Sequence, residues 1–220
     1  MRKLVIWGVA VLAIAASAVI ANAAENVSTF SLGLSHGTNA YAPPTKASGF
    51  DYSDLASQDE IGANADFSWG LAEDYAATLS GDFRFGSQKQ EPNANAVLGA
   101  PTVKLTSTSW KFRVGADRTG KIGDRFKWYM GPGLEYGSGK AKYKNFALPP
   151  NNDVESQPTN RFGLSGRIGG VMMLTPTMGI RGQVGDTFGM ESVKDNGGKT
   201  NQLYSSFEGA WGLQFAFGAK

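Results

Sequence analysis

The sequence predicts an all-β fold, an eight-stranded antiparallel up-and-down transmembrane β-barrel. Three observations predict it: apolar and polar residues alternate in eight segments, a secretory leader precedes them, and long connections alternate with short ones. A period of two marks a strand with one apolar and one polar face.

Composition sets the bounds. The 220 residues are 41% hydrophobic and 18% charged, with 29 glycines and no cysteine, which excludes a disordered chain and a disulfide scaffold. Lys and Arg number 21 against 19 Asp and Glu, and without Arg2 and Lys3 of the leader the balance is 19 against 19. No strongly basic nucleic-acid footprint remains.

Arg2 and Lys3 precede an apolar run over residues 4–20, which ends in Ala21-Asn22-Ala23, an A-x-A processing site. Residues 1–23 are expected as a cleaved signal peptide and 24–220 as an outer-membrane barrel domain. A membrane anchor is the competing reading. Small residues fill the second half of the run and no basic stop-transfer flank follows, which favours cleavage. Past residue 24 no stretch reaches the roughly 18 apolar residues of a spanning helix.

The first segment sets Phe30, Leu32 and Leu34 against Ser31, Gly33 and Ser35, and the second sets Ile61, Ala63, Ala65, Phe67 and Trp69 against Glu60, Asn64 and Asp66. In the third, Leu79, Phe83 and Phe85 oppose Ser80, Asp82 and Arg84; in the fourth, Trp110, Phe112 and Val114 oppose Lys111 and Arg113. The fifth opposes Phe126, Trp128, Met130, Leu134 and Tyr136 to Lys127, Tyr129 and Glu135, and the sixth opposes Phe162, Leu164, Ile168 and Met172 to Arg161, Ser165 and Arg167. Ile180, Val184 and Phe188 oppose Arg181, Gln183 and Thr187 in the seventh. The eighth runs Leu203, Phe207, Trp211, Leu213, Phe215 and Phe217 against Tyr204, Ser206, Glu208 and Gln214.

Connections over 37–57, 87–103, 138–159 and 191–201 are long, and those over 70–75, 117–124 and 175–177 are short. Long loops at one end and tight turns at the other fit a membrane barrel with external loops and periplasmic turns, both termini being periplasmic. A soluble lipocalin-like barrel would share the periodicity but carry its apolar face inside. Here the polar face is rich in Gly, Ser, Arg, Asp and Glu, which suits a narrow lumen, and aromatic residues gather near both strand ends. Two positions strain the pattern: Pro132 removes a ladder donor, predicting a bulge within residues 131–133, and the outward parity of Asp186 predicts a place at the headgroup rim.

The fifth segment, Trp128-Tyr129-Met130-Gly131-Pro132-Gly133-Leu134-Glu135-Tyr136-Gly137, resembles the aromatic and glycine-alternating strand of the porin-like outer-membrane β-barrel family, with its opacity-type members and the small OmpA and OmpX barrels. The resemblance extends in layout over the whole mature chain. It implies insertion by the bacterial outer-membrane assembly machinery, which reads an aromatic C-terminal strand. Trp211, Leu213, Phe215 and Phe217 match that pattern, while Gly218-Ala219-Lys220 extends past the usual terminal aromatic.

The expected lumen carries Arg84, Lys111, Arg113, Lys127, Arg161, Arg167 and Arg181 with Glu60, Asp66, Asp82, Glu135 and Glu208, seven cations against five anions. Side chains just fill an eight-stranded interior, so a plugging salt-bridge network is expected. A small passive channel is the alternative. Catalysis finds little support: His36 is the single histidine, and Ser35 beside it faces the opposite way on a strand. No cofactor or metal site is expected, since Asn151, Asn152, Asp153 and Glu155 read as a solvated loop more readily than as a calcium site.

If the fifth strand continues past Tyr136, Lys140, Lys142 and Lys144 keep its outward parity, with Lys104 at the top of the fourth. They would stand roughly 10 to 20 Å above the aromatic rim, near lipopolysaccharide phosphates. The expected function is that of a structural, adhesive or surface-recognition element of a Gram-negative cell surface, acting through its long loops. The expected partners are outer-membrane lipid, lipopolysaccharide and an unidentified surface ligand, with no nucleic acid, and the expected state is a monomer.

Overall fold

A computed structural model of the chain describes residues 27–40, 57–90, 103–144, 153–155, 158–195 and 198–217. The expected signal peptide, the C-terminal 218–220, Asn151 and Asn152 lie outside the described residues. Nine strands follow in chain order: β1 (Ser28–Ala40), β2 (Ser57–Ala72), β3 (Tyr75–Gln90), β4 (Val103–Ile122), β5 (Phe126–Lys144), β6 (Asp153–Glu155), β7 (Thr159–Met173), β8 (Met178–Asp195) and β9 (Gly198–Phe217).

Eight of them close a ring. Each of β1 to β5 pairs antiparallel with the next, β5 continues to β7, β7 to β8 and β8 to β9, and β9 returns to β1. β6 is the exception, a short strand that pairs with the end of β5. The ring leaves no barrel strand with an unpaired long edge, the hazard that open sheets must manage.

The apolar phase faces out. Phe83, Trp110 and Leu213 are 50%, 38% and 46% exposed, whereas Asp66, Arg84, Arg113, Glu135, Arg167 and Arg181 are buried inside. Rings also lie across the wall: a Cβ built on Gly170 would meet the Phe126 ring at 2.6 Å, and one on Gly120 the Trp128 indole at 2.5 Å. Aromatic side chains thereby cover backbone that glycine leaves bare.

The turns at one end are tight. Glu73 and Asp74 join β2 to β3, with a register shift between Gly70 and Ala72. Gly123 supplies the positive φ of 63° that the turn into β5 requires. The Thr175 hydroxyl accepts from the amides of Thr177 and Met178 before β8, a side chain standing in for backbone.

Three expectations need correction. No bulge forms at residues 131–133: β4 and β5 keep one register on both sides, and the ladder loses only the pairs of Ala116 and Asp117. Pro132 removes a donor without adding a residue, and register depends on residue count. The Gly131 carbonyl beside the gap accepts from Arg113 Nη2 at 3.0 Å. Second, 117–124 is mostly strand, since β4 runs to Ile122. Third, 191–201 is no long loop: β8 and β9 pair out to Asp195 and Gly198, and the residues between are Asn196-Gly197, a tight-hairpin sequence.

The β1–β9 seam depends on close approach. Gly33 and Gly212 are cross-strand partners, and a Cβ on Gly212 would run into the Leu32 carbonyl and Gly33 Cα. Gly212→Val is expected to cost about 1–3 kcal/mol and to lower the fraction of protein that shows a heat-dependent migration shift. Gly182→Val, whose Cβ would meet open space, is expected to fold as the wild type does.

Candidate functional site

The inner face is built in tiers, because each strand delivers polar side chains at every second residue and the closed register fixes their heights. At the level nearest the tight turns, Arg167 reaches Asp66 through Nη1 and Asp117 Oδ2 through Nη2 at 2.5 Å. Arg181 Nη2 meets Asp66 Oδ2 at 3.0 Å, and Ser80 donates to the same oxygen at 2.6 Å. Tyr129 ties the tier together: Arg181 Nε donates to its hydroxyl at 2.6 Å, and both guanidiniums lie over its ring, at 4.9 and 5.3 Å from the centroid.

Arg113 links this tier to the wall. It donates to Thr78, Ser165 and the Gly131 carbonyl, each at 3.0 Å, and stands 3.6 Å from Asp117. In the middle tier Arg84 Nη2 sits 2.7 Å from both Asp82 and Glu208, and Lys111 bridges Glu208 to Glu135. Ser35 and Thr187 donate to the outlying carboxylates at 2.8 and 3.2 Å. Toward the long-connection end, Arg161 pairs with Glu191 at 3.1 Å and also donates to Asn39. Ser107 and Ser109 each donate to buried Glu60 at 2.5 Å.

All twelve residues named from the sequence for the lumen therefore have inward parity, and two more carboxylates join them. Asp117 reads as turn and Glu191 as loop from composition alone; both are buried strand residues. These bring the anions to seven, and Lys121, which also reads as turn but keeps the inward phase of β4 opposite Lys127, brings the cations to eight, so the two-charge excess falls to one. Charges drawn from water are tolerable only when paired, and six of the eight cations meet a carboxylate. Lys121 and Lys127, at the tight-turn end, meet none among the described residues.

Above the ionic tiers the alternation continues with its polarity reversed. On β4 the outward series Val114, Phe112, Trp110 gives way to Thr108, Thr106 and Lys104, and on β5 the series Leu134, Tyr136 gives way to Ser138, Lys140, Lys142 and Lys144. The inward phase becomes apolar, with Val103, Leu105, Ala141 and Tyr143 buried. That burial pushes the Tyr143 phenol up to about 12. Trp110 and Tyr136 meet edge to face at 5.7 Å where the switch occurs.

The sequence also missed Lys89. It is the cross-strand partner of Lys104, which is in turn the partner of Lys144, so three lysines stand in one row across β3, β4 and β5. Glu155 of β6 lies opposite Lys142, which gives that carboxylate a lysine neighbour in place of the calcium ion weighed above. Asp186 faces outward, directly opposite Phe207 of β9 and two residues before the exposed Phe188 on β8. The Ser205 hydroxyl donates to its carboxylate at 3.1 Å. His36 is exposed on the outer face while Ser35 turns inward to Asp82, and the two share no face.

Removing one member of the lowest tier strands the others. Asp66→Ala leaves two buried guanidiniums short of a partner and is expected to cost about 3–5 kcal/mol, read as a lower denaturant midpoint. Asp186→Leu, on the outer wall, is expected to leave the midpoint unchanged or raise it.

No family model and no curated protein matches the sequence. Among solved structures, the chain is similar to the attachment invasion locus protein Ail of Yersinia pestis, at 14% identity and a TM-score of 0.48 over 88% of this chain and 99% of that one. It is similar to a major outer membrane protein of Thermus thermophilus, at 12% identity and 0.49 over 86% and 99%. It is also similar to the outer membrane protein OprG of Pseudomonas aeruginosa, at 13% and 0.48 over 89% and 97%. On its own closed ladder, apolar wall and ionic interior, the chain folds as an eight-stranded antiparallel up-and-down β-barrel.

Proposed function

We propose that the chain is exported through its 1–23 leader, inserted by the assembly machinery as a monomer into the bacterial outer membrane, and acts there as a non-conducting structural or surface-recognition element. The observation that carries this reading is the polarity reversal along β4 and β5. Side chains that face out are apolar up to Trp110 and Tyr136 and hydroxylic or cationic beyond them, as expected where a wall leaves hydrocarbon for headgroups. The long-connection end is then external and the tight turns are periplasmic.

Non-conduction follows from the interior. Three tiers of paired charges cross the lumen, and moving an ion through them would mean breaking buried pairs. Refolded protein in planar bilayers is expected to show no steady conductance; defined openings would instead favour the channel reading.

The outward lysines supply the surface chemistry. Lys104, Lys140, Lys142 and Lys144, with Lys89 added by the register, present ammonium groups roughly 10 to 20 Å beyond the aromatic rim, at the height expected for lipopolysaccharide phosphates. Like charges directly opposite one another are unfavourable in a sheet unless something neutralises them, and phosphates would do so. Replacing Lys104, Lys140, Lys142 and Lys144 with Gln is expected to reduce lipopolysaccharide co-purification severalfold, while the heat-dependent migration shift persists. An unchanged yield would count against this contact.

A further inference from the structure

Beneath the lowest ionic tier the barrel is open. A cavity of about 600 Å³ occupies the tight-turn end, roofed by Asp66, Asp117, Arg167 and Arg181 and walled in part by Lys121 and Lys127. The two lysines are direct cross-strand partners on the inward phase of β4 and β5. Ammonium groups so placed repel each other.

Every other inward cation has a carboxylate. Lys121 and Lys127 have none among the described residues, although Glu73 and Asp74 line the same mouth from the β2–β3 turn. The roof groups are already committed to one another, so they neither compete for an entering anion nor let it pass. A cavity of this volume lies within the usual range for small-ligand sites.

We infer that the Lys121–Lys127 pair is an anion-binding site, open at the tight-turn end, for a small ligand carrying a carboxylate or a phosphate. Two ammonium donors on neighbouring strands line the same cavity, and charge-assisted hydrogen bonds to an anion held there are the strong ones. The turn carboxylates at the mouth disfavour extended polyanions and admit a compact ligand. Under the orientation proposed above, such a group would come from a phospholipid headgroup of the inner leaflet or from a cell-wall peptide; the site itself does not depend on that orientation.

The test uses the full mature chain refolded in zwitterionic detergent, titrated by amide NMR with inorganic phosphate, glycerol 3-phosphate and N-acetylmuramyl dipeptide at constant ionic strength. Saturable shifts at Lys121 and Lys127 are expected with at least one probe, weakened about tenfold or more in a Lys121→Gln, Lys127→Gln variant. Tightest binding of glycerol 3-phosphate assigns the site to lipid headgroups, and tightest binding of the muramyl peptide assigns it to the wall. Shifts that fail to saturate with all three probes, or that persist unchanged in the variant, overturn the inference. The migration shift on heating checks that the variant is folded. The outcome is independent of conductance and of lipopolysaccharide retention, so failure here is distinct from failure of the functional reading.

Discussion

The backbone amide is the constraint on which this structure depends. In hydrocarbon an unpaired N–H or C=O costs several kcal/mol, and a sheet can meet that demand only by closing on itself. Closure of β9 on β1 gives every barrel strand two neighbours. Other features follow from that ring. Its small circumference makes the lumen narrow, the narrow lumen brings six cations within reach of carboxylates, and that proximity makes ionised groups tolerable inside. Where a ladder pair is lost, at Pro132, a lumen guanidinium takes up the neighbouring carbonyl, so wall and interior share one hydrogen-bonding network.

The tiers also divide the molecule in two. Arg167 and Arg181 share Asp66 and flank Tyr129, while Arg84 and Lys111 share Glu208. Each cluster joins strands on different sides of the ring, so the ion pairs hold the wall across its diameter as the ladder holds it around the circumference. With the middle held by ion pairs, the remaining chemistry lies at the two ends, a cationic sheet at one and an open cavity at the other.

Much of this was legible in the sequence, and the limits were physical. Parity needs only a count by twos, so the outward aim of Phe83, Trp110 and Leu213 and the inward aim of Arg84 and Arg167 could be read directly. Strand ends were harder. Asp117 keeps the phase of Arg113 and Gly115, and Glu191 that of Thr187 and Gly189, but polar composition made both look like connections. The Asn196-Gly197 pair was the signal that β8 and β9 stay paired out to Asp195 and Gly198. Which arginine meets which carboxylate was not legible at all, because pairing across the lumen depends on the stagger of the closed ring, and that stagger is a property of all eight strands together. The same holds for the row from Lys89 to Lys144, which exists only once three registers are known.

The reversal of polarity along β4 and β5 amounts to a waterline. Under the proposed placement, sinking the barrel by one residue pair would carry Lys140 toward hydrocarbon, a position whose cost for lysine rises to about 2–4 kcal/mol at the midplane. Lifting it by the same step would strand Tyr136 and Phe162 in water. Both displacements are opposed, so the depth at which the cylinder floats is set by the side chains themselves, without any tether.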